Sequence, residues 1–198
     1  MNDPNGPVFA NGKYHLFNQY NPEGAKWGHM SWAHSVSDDL VSWTHLPVAL
    51  LPNNTYDSGG VFSGSITIVN GKPIISYTCV GPHGQLQCLA SAKDPTDPNL
   101  IDWVKDPSNP VIAQQPPTTP SNDFRDDTTA WLVPGANGQG QRWAMAMSAL
   151  ENNTAGVVVY VTPNASSPLK PLTRHGVLYS SGETGTMWEC PDFALFPG

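Results

Sequence analysis

A chain of 198 residues with 18 Gly, 20 Pro and only 13% charged residues is long enough for a real core, yet modest for a complete array of four-stranded blades. A formal net charge of -7, with Lys and Arg scattered singly, argues against nucleic-acid binding, because no basic stripe is present to neutralise phosphates. No apolar run approaches membrane-spanning length, and no signal peptide opens the chain.

Short apolar runs broken by Gly and Pro predict an all-β chain, and few stretches have helical period. In chain order, the first repeat reads as strands over 6–9, 13–19, 30–37 and 44–51, with an Asn11-Gly12 hairpin turn. The second reads as strands over 60–69, 72–80 and 85–93, with an Asn70-Gly71 turn, and a last strand near Val111. The third reads as strands over 128–133, 141–148, 156–162 and 176–180. A fourth opens at Phe193-Ala194-Leu195-Phe196, and Gly198 is expected to cut it off, the chain being a fragment trimmed at both ends. Leu40-Val41-Ser42-Trp43 and Leu100-Ile101-Asp102-Trp103 stand 60 positions apart, with a weak echo in Leu169-Lys170-Pro171-Leu172. Trp43 and Trp103 are expected to pack between neighbouring repeats. Repetition of strands at about this period marks a propeller or a similar radial array.

Three acids fall on one phase of that repeat. Asp3 lies in Asn2-Asp3-Pro4-Asn5-Gly6, Asp126 in Phe124-Arg125-Asp126-Asp127-Thr128, and Glu189 in Trp188-Glu189-Cys190-Pro191-Asp192. Asp126 and Glu189 are 63 positions apart, Asp3 and Asp126 are 123 apart, and the halfway point falls on Phe62-Ser63-Gly64-Ser65. In a propeller the innermost strand of each blade lines the channel, so these acids would meet in one small volume. Each motif read alone is also ordinary turn chemistry or a surface ion pair; their joint phase is not explained that way.

Two carboxyls are what glycoside hydrolysis needs, one to protonate the leaving oxygen and one to attack or to activate water. Crowding and the apolar Trp188 are expected to raise the pKa of Glu189, which suits a general acid. Asp3, in a turn rich in backbone donors, suits an ionised nucleophile, and Asp126 suits a group that holds substrate hydroxyls. No His/Cys cluster has ligand spacing and no Gly-rich nucleotide loop is present, so no metal or organic cofactor is expected. Cys79 and Cys88 flank the hairpin turn Gly81-Pro82-His83-Gly84; a disulfide between them is possible, although their register is diagonal.

With these motifs quoted, the chain resembles glycoside hydrolase family 32, the invertases, fructan hydrolases and plant fructosyltransferases. Met1-Asn2-Asp3-Pro4-Asn5-Gly6, Phe62-Ser63-Gly64-Ser65, Phe124-Arg125-Asp126 and Trp188-Glu189-Cys190-Pro191-Asp192-Phe193 carry the likeness, in order and at the right spacing. It implies a five-bladed β-propeller followed by a β-sandwich. This chain would supply about three blades and the first strand of a fourth, a partial N-terminal catalytic domain over 1–198 with the sandwich absent.

The likeness makes Asp3 the nucleophile on a β-fructofuranosyl unit, Glu189 the acid/base and Asp126 the transition-state stabiliser. It places Asn2, Gln19, Trp27, Phe62, Ser63 and Arg125 around the fructose pocket, with sucrose or a fructan as the small-molecule partner. An invertase-like β-fructofuranosidase is the leading expectation; the alternatives are a fructan exohydrolase, a fructosyltransferase and a non-catalytic fructoside-binding protein. The resemblance and three sequons, at Asn53, Asn152 and Asn164, lean towards a secreted, cell-wall or vacuolar protein. One departure stands out: the family's Arg-Asp-Pro is here Arg125-Asp126-Asp127, which frees a torsion and is expected to add a negative charge beside Asp126.

Overall fold

The computed structural model describes residues 2–182 and 186–194. They form three antiparallel sheets, each a meander in chain order, the arrangement of propeller blades. Blade one comprises β1 (Pro4–Ala10), β2 (Lys13–Tyr20), β3 (Ser31–Ser37) and β4 (Thr44–Leu50). Blade two comprises β5 (Gly60–Val69), β6 (Lys72–Gly81), β7 (Gly84–Ala92) and β8 (Trp103–Lys105). Blade three comprises β9 (Phe124–Arg125), β10 (Trp131–Pro134), β11 (Gln141–Glu151), β12 (Thr154–Val161) and β13 (Thr173–Ser181). Among the described residues there is no α-helix; Thr55–Asp57 and Ala136–Gly138 are single 3-10 turns.

Apolar faces of neighbouring blades make the core. Phe17, Trp32 and Leu50 of blade one meet Val61, Ile66, Ile75 and Tyr77 of blade two. Val69, Ile74 and Leu89 of blade two meet Phe124, Met145, Met147, Val158 and Tyr160 of blade three. At roughly 1.5–3 kcal/mol for each large side chain buried, these two layers dominate the stability of the stack. Trp103 packs between blades as expected, edge-on to Phe17 with centroids 5.8 Å apart. Trp43 is half-buried and donates its indole N–H to Leu40 O within its own turn at 3.2 Å.

The repeat also shows in the backbone. Leu40, Leu100 and Leu169 all have left-handed φ, at 65°, 44° and 58°. A left-handed leucine costs roughly 1–2 kcal/mol. Leu100 and Leu169, 1% and 0% exposed, offset that by burying their side chains, whereas Leu40 is exposed.

Several strand expectations need correction. The outer strand of blade two runs over Trp103–Lys105 and not near Val111. It stops because Asp106 turns the chain, its Oδ1 accepting from Ser108 N (2.8 Å) and Ser108 Oγ (2.6 Å); Val111-Ile112 contributes one isolated bridge, Ile112 to Gln87. The inner strand of blade three is split, since Asp126 takes φ 62° between β9 and β10. Cys79 and Cys88 do form a disulfide. Cys79 pairs with Leu86 and Cys88 with Tyr77, so the register is diagonal, but a Cα–Cα distance of 5.8 Å is within bonding reach. In the fourth repeat, Phe193 and Ala194 lie in no strand and Leu195 and Phe196 fall outside the described residues.

Between β2 and β3 two histidines are buried, each 1% exposed. His15 Nδ1 lies 3.1 Å from His34 Nε2, and His15 Nε2 lies 3.3 Å from Ala10 O. His34 stacks on Phe17 at 4.0 Å. Burial lowers the pKa of His15, and burial together with His15 brings His34 down to about 3. The unfolded chain therefore takes up these protons first. Their contribution to stability is intact above about pH 6.5 and is lost as pH falls towards 3. Between pH 7 and pH 5, His34 alone is predicted to cost about 2 kcal/mol. Urea unfolding at both pH values tests this: His34→Asn shrinks the pH difference by about that amount, and an unchanged difference contradicts it.

Candidate active site

Two bulges and one close approach shape the channel wall. In β1 the register slips between Asn5 and Val8, where Gly6 has φ 44°. In β5 it slips between Val61 and Gly64, so Phe62 and Ser63 occupy the bulge. Bulges re-aim side chains, and Ser63 Oγ donates to Asp3 Oδ2 at 2.9 Å. A Cβ at Gly64 would stand 2.1 Å from Ser76 O, so only glycine lets β5 lie this close to β6.

Asp3, just before β1, also accepts from Asn2 Nδ2 on Oδ1 at 3.2 Å. Its donors are side chains, where the sequence suggested turn amides. Asp126 is 5% exposed. Its backbone N–H donates to Thr78 Oγ1 at 3.0 Å, and its Oδ2 accepts from Cys190 N at 3.1 Å. Glu189 lies in no strand and 66% of its side chain is exposed; its Oε1 accepts from Arg125 Nη2 at 2.9 Å.

All three acids line one cavity of about 310 Å³, with Trp27, Phe62, Ser63 and Arg125. Trp27 meets Phe62 edge-on at 5.4 Å. The loop carrying Trp27 is braced by Asn21, whose Oδ1 accepts from Glu23 N (2.9 Å) and whose Nδ2 donates to Lys26 O (2.7 Å). Gln19 is brought near but not in: fully buried, it sits behind the wall and donates Nε2 to Val61 O at 3.1 Å. Asn2 reaches the cavity only through Asp3.

Sequence reasoning missed Gln85, Asn122 and Asp123, which complete the lining. Asn122 and Asp123 directly precede Phe124-Arg125, so adjacency to a motif could have found them. Gln85, the second residue of β7, carried no such signal.

The burial expected at Glu189 falls instead on Asp126. Desolvation pushes Asp126 up to about 6, with Glu189 and Asp3 adding to the rise and the Cys190 amide and Arg125 opposing it. Trp188, expected to desolvate Glu189, stacks on Tyr179 at 5.5 Å. Asp127 also behaves unlike the sequence reading. It is 3% exposed, takes a hydrogen bond from Ser76 Oγ on Oδ2, and its Oδ1 meets no protein partner among the described residues. Burial pushes it up to about 8. At neutral pH it is mostly a neutral acid in the wall, so the added charge beside Asp126 is largely suppressed.

The profile of the glycosyl hydrolases family 32 N-terminal domain matches residues 1–198. The chain belongs to glycosyl hydrolase family 32. Among its family 32 relatives, the acid beta-fructofuranosidase of Vicia faba is 44% identical over 195 residues, 98% of this chain and 29% of that protein. The sucrose:sucrose 1-fructosyltransferase of Festuca arundinacea is 43% identical over 203 residues, 100% of this chain and 29% of its own length. A solved fructan 1-exohydrolase IIa variant from Cichorium intybus, in complex with 1-kestose, superimposes with a TM-score of 0.86 at 39% identity. That match covers 97% of this chain and 34% of the solved one. The chain thus spans about a third or less of the length of these family 32 proteins.

Asp127 gives a stability prediction with a defined sign. Its folded pKa, about 8, lies above the unfolded 3.8, so the folded state holds the extra proton between them and stability falls as pH rises through that window. Asp127→Asn keeps an acceptor for Ser76 and removes the titration. It is predicted to flatten the decline of Tm with pH between about 4 and 8 and to raise Tm at pH 7 by about 10 °C. Calorimetry of the two proteins across that range checks it, and parallel Tm profiles contradict it.

Proposed function

We infer that the protein is a retaining β-fructofuranosidase that acts on sucrose. The observation that carries this is the convergence of Asp3, Asp126 and Glu189 on one cavity with Ser63 and Arg125, in a chain of a family whose relatives are named for fructosyl hydrolysis and transfer.

Asp3 is the nucleophile. One of its oxygens bonds to C2 of the fructosyl unit as the bond from C2 to the bridging oxygen breaks. Glu189 gives its proton to that oxygen, and glucose leaves. With Oε1 engaged by Arg125, Oε2 carries the proton. Glu189, now a carboxylate, then takes a proton from water while the water oxygen bonds to C2. The C2–Asp3 bond breaks, fructose departs, and Glu189 is protonated again. Asp126 binds fructose hydroxyls: below about pH 6 it is mostly protonated and donates, and above it mostly accepts. Trp27 and Phe62 give an apolar face against which a sugar ring packs.

Fructan hydrolysis and fructosyl transfer differ from this only in what fills the outer cavity, and relatives named for both are similar to this chain. Product analysis on sucrose, inulin and levan separates the three. Against a non-catalytic reading, Asp127 is mostly neutral at neutral pH and leaves the charge around Asp126 little altered. In the full-length protein, Asp3→Asn and Glu189→Gln are each predicted to lower kcat on sucrose by at least about 10³-fold. Asp126→Asn is predicted to lower kcat/KM by roughly 10²–10³-fold. Near-normal fructose release by either of the first two variants contradicts the reading.

A further inference from the structure

The site holds a fourth carboxyl, Asp123, which the mechanism above does not use. Its backbone is fixed, with its N–H donating to Pro120 O at 3.1 Å and its carbonyl accepting from Leu150 N at 3.1 Å. Its side chain, 28% exposed, lines the same cavity as Glu189. Asp123 Oδ1 lies 3.8 Å from Arg125 Nη1. The same nitrogen donates to Asn122 O at 2.8 Å and to Gln85 Oε1 at 3.3 Å. Arg125 Nε faces Asp126 Oδ2 at 3.8 Å, and Nη2 reaches Glu189. One guanidinium, 15% exposed, is therefore shared among three carboxylates, each on a different nitrogen.

We propose that Asp123 is a positioning residue for the reaction: its carboxylate offsets part of the Arg125 charge from the inner side, so that Glu189 keeps its proton to higher pH than it would beside an undivided arginine. This rests on the reading of Glu189 as the acid. Among the described residues, the other charged and titratable groups around Glu189 are Arg125, Asp126, Asp3 and the Cys190 thiol; none of these is changed by a substitution at Asp123. Asp123→Asn is nearly isosteric, and Asn122 O with Gln85 Oε1 still holds Nη1, so the variant removes charge while keeping the arginine in place. Removing a negative charge from this cluster makes proton loss from Glu189 easier.

The test is the pH profile of kcat/KM for sucrose hydrolysis by the full-length protein, with Asp123→Asn and Asp123→Glu. The alkaline limb, where the acid loses its proton, is expected to move to lower pH by about 0.5–1 unit in the Asn variant and to return in the Glu variant. The same displacement is read without turnover from the carboxyl ¹³C titration of Glu189, identified by its loss in Glu189→Gln. A limb and a titration that coincide with wild type, a uniform loss at every pH, or a Glu variant that behaves like the Asn variant each overturn the proposal. If the wild type releases no fructose from sucrose or fructans, the functional reading fails by itself, and the ¹³C titration still decides the part played by Asp123.

Discussion

The site depends on a single positive charge. Among the described residues, Arg125 is the one basic residue lining a cavity that also holds Asp3, Asp123, Asp126 and Glu189. Four carboxyls that close would repel, and the deepest would be pushed towards protonation. The guanidinium offsets this because its nitrogens point in different directions: Nη1 into the wall at Asn122, Gln85 and Asp123, Nε at Asp126, and Nη2 outward to Glu189. A lysine could offer the charge but not a rigid planar fork. The fold enters through position: β9 is only Phe124–Arg125, and Phe124 is buried among blade-two and blade-three side chains. The core therefore fixes the root of the arginine that organises the charges.

The other buried titrating groups follow the same physics with different outcomes. His15 and His34 answer desolvation by staying neutral and bonding to each other. Asp127 answers it by keeping its proton. Asp126 lies between these extremes, because the Cys190 amide and Arg125 supply part of the stabilisation that water would have given its carboxylate. Acidification strains the histidines of blade one and alkalinity strains Asp127 in blade three, so the fold is pressed from both sides of neutrality.

Much of this architecture was legible in the sequence, and the reasons are physical. The Asn-Gly turns force hairpins, so the strand pairs they join were readable almost to the residue; Gly60–Val69 matches its expected bounds. The acids' shared phase was legible because a radial array turns equal spacing into a common centre. What escaped notice depended on three-dimensional neighbours. The Asp106 turn ended a strand that the repeat alone would continue. A diagonal cysteine pair came within bonding distance through the local path of β6 and β7. Which acid would be buried could not be read from apolar letters beside it: Trp188 turned to Tyr179, and the channel closed over Asp126. Gln85 entered the site because β7 and β9 pack together, a contact with no local sequence mark.

The central claim is that Asp3 stands under the same sugar ring that Glu189 and Asp126 address. It is tested most directly by trapping the full-length Glu189→Ala protein with a fructosyl donor bearing a good leaving group, then mapping the quenched protein by peptide mass spectrometry. One fructosyl unit is expected on the peptide that carries Asp3, absent when Asp3 is also replaced by Asn. Donor consumption with no adduct, or an adduct on another carboxylate, would contradict it.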